Sequence, residues 1–165
     1  MLTFNERVNI GIDIVKKQYA HYDPSFLTIH MTGTSDPELY NKLICDVSEL
    51  KSMKLVFRLN NLRPYDPGAA WIDEISPGKF AEPQVAEMVD VVYTNLDWPF
   101  NVTLEEAFQL KLEHGYTSPF WFVHVRKLLV PKHTILTKSC FIFYQNDETK
   151  IYVNALTKEV KKALH

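Results

Sequence analysis

Two stretches of the chain repeat one order of apolar and polar positions. Phe26-Leu27-Thr28-Ile29-His30-Met31-Thr32 runs aromatic, two residues, β-branched, histidine, apolar, polar. Phe120-Trp121-Phe122-Val123-His124-Val125-Arg126 runs the same way 94 residues later. Both are rich in β-branched or aromatic residues and read as strands. Side chains alternate faces along a strand, so His30 shares a face with Thr32, and His124 with Arg126. Further alternation predicts strands at 53–59, 89–94, 135–144 and 149–157, with Gln145-Asn146-Asp147 as a hairpin turn. The second histidine strand covers 120–126, with Val130 as its outermost end.

Helical spacing marks two other stretches. Ser35-Asp36-Pro37-Glu38 combines a cap, a first-turn proline and an acidic residue, and Leu39, Leu43, Val47 and Leu50 continue as a stripe. This predicts a helix over 36–51 and a β-α-β unit over 26–59. Thr103 caps a second helix, 103–114, whose stripe is Leu104, Phe108 and Leu112 and whose end is Gly115. Residues 7–20 fit two periods: Val8, Ile10, Ile12 and Ile14 alternate, while Val8, Ile12, Val15 and Tyr19 sit at helical spacing. The prolines and glycines of 60–84 predict a long irregular connection, of the kind that is often functional. The tail from Lys158 reads as a short basic helix or a frayed end. Together these elements predict an α+β fold in one domain, 1–165, with a mostly antiparallel sheet and two main helices.

Composition adds bounds. The 165 residues suffice to bury a core without disulfides or metal. A net charge of −2 removes the basic footprint for binding long duplex nucleic acid but leaves room for a small nucleotide or short oligonucleotide. Cys45 and Cys140 read as two reduced, buried thiols, with no Cys/His spacing for zinc. No apolar stretch approaches a transmembrane helix and the first residues lack signal-peptide character, so the expectation is an intracellular, cytoplasmic protein without membrane contact. Asn101-Val102-Thr103 matches a glycosylation acceptor, which carries little weight without a secretion signal.

The chain resembles the two-histidine (2H) phosphoesterases, a family akin to the RNA-ligase-like cyclic phosphodiesterases. That family carries two H-x-T/S motifs on strands of two pseudo-symmetric lobes. His30-Met31-Thr32 matches the first motif. Tyr93-Thr94, the helix 103–114, Gly115 and Phe122-Val123-His124 are similar to the approach to the second, and 141–157 to the closing strands. Position 126 departs, with Arg where the family has Thr or Ser; it holds a phosphate oxygen or pairs with a carboxylate. His133-Thr134 competes for the second role, but its Thr adjoins the histidine and faces the other side of a strand. The resemblance implies a bilobal fold, its lobes meeting near 60–88.

It also implies His30 and His124 as general acid and base on opposite sides of a phosphorus. Thr32 and Arg126 then hold the nonbridging oxygens. Histidine suits both proton transfers near neutral pH. The scheme needs no cofactor and no metal, and the sequence shows no HExxH or clustered ligands. The implied activity is a metal-independent phosphodiesterase on a small cyclic nucleotide, cyclic oligonucleotide or short RNA.

Two other readings stand beside it. Phe57-Arg58, Val92-Tyr93-Thr94 and 103–126, with Glu148 as a late acid, compare with an ADP-ribosyltransferase-like, NAD-binding core. Alternatively Trp71, Trp98, Phe100 and Trp121 anchor a nucleotide or a partner protein without catalysis. The discriminating feature is whether His30 and His124 face one cleft.

Overall fold

The computed structural model describes residues 1–34, 36, 42–61, 68–87, 93–128 and 138–163. Among the described residues it is α+β, with two α-helices and a mostly antiparallel sheet. Helix α1 spans Phe4–Gln18 and α2 Leu104–Glu113; the strands are β1 (Pro24–Thr32), β2 (Ser52–Leu59), β3 (Gly68–Ser76), β4 (Lys79–Phe80), β5 (Gln84–Glu87), β6 (Tyr93–Thr94), β7 (Phe120–Leu128), β8 (Cys140–Gln145), β9 (Lys150–Asn154) and β10 (Val160–Ala163). The sheet order is β10-β9-β8-β7-β1-β2-β3-β4, with β5 on β3 and β6 on β7.

Local chemistry starts both helices. Thr3 accepts from the Glu6 amide while the Glu6 carboxylate accepts from the Thr3 amide, and Thr103 and Glu106 repeat that reciprocal cap. The helical period wins over 4–18 because Phe4, Val8, Ile12 and Val15 then share one buried face. Each such side chain contributes about 1.5–3 kcal/mol on burial. Gly11 lets α1 close on the sheet, since a Cβ there would run into Leu55 Cδ1 and the Phe80 ring. The Arg7 guanidinium grips the Glu74 carboxylate of β3 with two hydrogen bonds, and Glu74 also accepts from the Gly78 amide at 2.7 Å.

Among the described residues both α-helices pack on one face of the sheet, over Ile29, Met31, Leu55, Phe57, Val123, Val125, Phe141 and Phe143. The pleat sends the alternate residues, including Thr28, His30, Lys54, Val56, Phe122, His124, Arg126 and Tyr144, to the opposite face, where they are half-buried.

The chain is two halves of like order. Helix α1 is followed by β1, β2 and β3 in an antiparallel meander, and α2 by β7, β8 and β9 in another. The halves join edge to edge through β1 and β7, where His30 pairs with His124, Ile29 with Val125 and Met31 with Val123. With the 94-residue offset of the sequence echo, that register is its own mirror: each half presents the same position to the other. A pseudo-twofold axis therefore runs between the two histidines.

Several expectations are corrected. The helix over 36–51 does not hold where the segment is described; its start, at 35 and 37–41, lies outside the described residues. Ile44 exchanges both backbone hydrogen bonds with Phe120, at 2.8 and 3.0 Å, so its amide is committed to the sheet. Only a 3-10 turn, Val47–Glu49, follows, capped by Asp46. The 26–59 unit is consequently a pair of antiparallel neighbours, β1 and β2. The irregular connection over 60–84 contains β3, β4 and the start of β5, because Ala70 and Ile72 supply a buried alternation and Gly68 a strand start. The tail forms strand β10 against β9. Cys45 is exposed, the helix that would have buried it being absent, whereas Cys140 is buried and both are free. The 89–92 part of one predicted strand, the 135–137 start of another and Val130 lie outside the described residues.

Candidate functional site

The pleat builds the site. Ile29 and Met31 point into the core, so His30 between them points out; Val123 and Val125 do the same for His124. Since the two are cross-strand partners, their rings sit side by side, centroids 4.3 Å apart at 58°. A row crosses the sheet here: Ile142, His124, His30, Lys54 and Asp73, each paired with the next. Thr28, His30, Lys54, Val56, His124 and Arg126 line one cleft of about 250 Å³. His30 and His124 thus face a common cleft. Contact at 4.3 Å leaves no space between the rings for a phosphate, so the expected placement on opposite sides of a phosphorus gives way to two rings side by side on one floor.

The electrostatics follow from burial and from the row. His124 is pushed down to about 3, first by desolvation, then by His30, Arg126 and Lys150. His30 is also lowered, by desolvation and by Lys54. The Nδ1 atoms of both are buried with no hydrogen-bond partner among the described residues. Lys150, whose ammonium lies 5.1 Å from the Tyr144 ring, is itself lowered by burial and by Arg126. Neutral imidazoles amid cations are the state an anion reverses: negative charge above the pair favours its protonation.

The sequence-chosen residues are placed unequally. Arg126 lines the cleft, and its charge is felt at His124, Lys150 and Tyr152. Thr32 does not line it; its hydroxyl donates to the Thr34 carbonyl at 2.6 Å. Thr28 occupies the cleft instead, two residues before the histidine. His133 lies outside the described residues. Glu148 sits in the β8–β9 turn at φ +65°, beside a different cavity, while Arg58 is on β2. Phe100 is buried and Trp98 packs on the core, its indole N–H donating to Asn9 Oδ1 at 2.9 Å. Trp71 and Trp121 are half-buried.

Sequence reasoning missed Lys54, Thr28 and Lys150. Lys54 had a visible signal in the alternation of 53–59, but only the register of β2 on β1 brings it beside His30. Among the described residues no group of three or more His, Cys, Asp or Glu could hold a metal ion, and no helix is long and apolar enough to cross a membrane. Compared with known protein families, curated proteins and solved structures, the chain matches none.

Proposed function

We propose that this protein is a metal-independent phosphodiesterase acting on a small nucleotide, such as a cyclic nucleotide or a short RNA with a hydroxyl beside the scissile phosphate. The observation that carries the reading is the paired His30 and His124 on the floor of one cleft, flanked by Lys54 and Arg126. Two imidazoles in contact disfavour a double charge, so the pair titrates as a unit and takes one proton first. In that state it holds a base and an acid together. His124, with the lower proton affinity, removes the proton of the attacking oxygen, which is water when a cyclic phosphate is opened and the neighbouring hydroxyl when RNA is cleaved; His30 delivers its proton to the leaving oxygen. Arg126 and Lys54 offset the charge that builds on the nonbridging oxygens.

The test is incubation with 2′,3′-cyclic and 3′,5′-cyclic nucleotides, cyclic dinucleotides and 2′–5′-linked oligoadenylates in excess chelator, with products resolved by chromatography. Hydrolysis of at least one class, lost in His30→Ala, is the expected result. Binding without turnover across the panel would replace this reading with nucleotide sequestration.

A further inference from the structure

Alternation along β1 brings Thr28, His30 and Thr32 to the face of the sheet away from the helices, and β7 brings Phe122, His124 and Arg126 beside them. The register that pairs His30 with His124 sets Thr32 beside Phe122. Continued past Ile29 and Val125, it sets Thr28 beside Arg126. The histidine pair therefore has two flanks on this face.

One flank is taken. The Phe122 ring lies 5.2 Å from the rings of both histidines, and the Thr32 hydroxyl donates to the Thr34 carbonyl at 2.6 Å. The other flank is open. Thr28 and Arg126 line the cleft with both histidines and Lys54, whereas Thr32 and Phe122 do not. Thr28 is half-buried; its hydroxyl makes no hydrogen bond among the described residues, and its oxygen is not enclosed. A β-bulge between Phe26 and Thr28 breaks the alternation here, with Phe26 and Leu27 both buried. Bulges re-aim neighbouring side chains and are frequent beside active sites.

The pseudo-twofold axis maps Thr32 on Arg126 and Thr28 on Phe122, so the flanks are alike in backbone and unlike in chemistry. The cleft gathers a hydroxyl, a guanidinium, an ammonium and two imidazoles and, among the described residues, no carboxylate. That set suits a phosphate, whose nonbridging oxygens accept hydrogen bonds and cannot donate them.

We propose that Thr28, in place of the motif hydroxyl of Thr32, donates a hydrogen bond to a nonbridging oxygen of the bound phosphate, across the cleft from Arg126. The inference deepens the phosphodiesterase reading and rests on it for the phosphate, but phosphate binding is measurable without turnover. The full chain is titrated with inorganic phosphate and followed by NMR of the backbone amides. Thr28→Val keeps the β-branched shape, removes the hydroxyl and should weaken phosphate about tenfold or more, the worth of one hydrogen bond to a charged group. Thr28→Ser should bind as wild type does, and so should Thr32→Val. Equal affinity in wild type and Thr28→Val would overturn the proposal, as would a loss in Thr32→Val as large as in Thr28→Val. No binding of phosphate by wild type would overturn it too. Hydrolysis lost in His30→Ala but untouched by Thr28→Val would overturn the assignment while leaving the histidine chemistry in place. Phosphate binding that depends on Thr28, without turnover of any substrate, would support the assignment and remove the chemistry.

Discussion

His30 and His124 are cross-strand partners at the one position where the two α-β-β-β halves of this protein meet symmetrically. Neither half alone supplies the pair. Joining β1 to β7 builds it at the centre of the sheet, with a cation one step away on either side: Lys54 beside His30, and Arg126 two residues along from His124. The site is therefore a product of the junction.

Acid should destabilise the fold before the carboxylates titrate. His124 and His30 have folded pKa values below the ordinary 6.5, so above 6.5 neither state takes a proton and stability is full. As pH falls through 6.5 the unfolded chain protonates and the folded one does not, and stability is lost toward about 3. Urea midpoints at pH 7.5 and 4.5 should differ in wild type by an amount that His124→Phe reduces.

Arg126→Ala should do two things. It removes a like charge from His124, so the imidazole pKa rises, which NMR titration reads directly. If Arg126 grips phosphate it also lowers turnover by about one to two decades, since a charged hydrogen bond is worth roughly 1.5–3 kcal/mol. Arg126→Lys should retain part of both. Turnover unchanged in Arg126→Ala would assign the residue to the sheet surface.

Glu74→Ala should be among the costliest single changes away from the site. The carboxylate is 2% exposed and paired with Arg7, and its removal leaves that guanidinium half-buried and unmatched. Breaking such a pair costs about 3–5 kcal/mol. Chemical denaturation at neutral pH measures it, and a loss under about 1 kcal/mol would contradict the assignment.

Lys111 carries a similar expectation. Its ammonium donates to the carbonyls of Tyr116 and Ser118, at 2.6 and 3.0 Å, and lies within 6 Å of the Phe108, Phe120 and Phe143 ring centroids. Lys111→Ala should destabilise the fold by roughly 2 kcal/mol or more, because two carbonyls lose their donor and a cavity opens. Burial brings Lys111 down to about 8, so wild type should gain stability as pH rises from 8 toward 10.5. A flat midpoint over that range would contradict the burial.

Sequence alone carried the parts governed by local chemistry. The caps and stripe of 103–114, the alternation of 26–32, 53–59 and 120–126, and the turn at 145–147 are short-range signals. What it lacked was register. The stripe Leu39, Leu43, Val47 and Leu50 has helical spacing, yet a long-range bridge from Ile44 to Phe120 takes the backbone where it is described. The α2 stripe places Leu112 inward, where it packs on the core; what it did not show is that Lys111 is buried too, its charge met by carbonyls in the loop beyond the helix. In the cleft, the common face of His30, His124 and Arg126 was legible from alternation. Thr32 shares their face but spends its hydroxyl locally, and Lys54 arrives from a neighbouring strand.

The central claim, a histidine pair sharing one proton as acid and base, is tested most directly by the pH dependence of kcat/KM on the best phosphodiester substrate in chelator. Both proton-binding steps of the pair lie below the ordinary 6.5, so the profile should be a bell centred on the acid side of neutrality. In His30→Ala the alkaline limb should vanish along with most of the rate. A rate that climbs steadily from pH 5 to 9, or a profile identical in wild type and His30→Ala, would contradict the account.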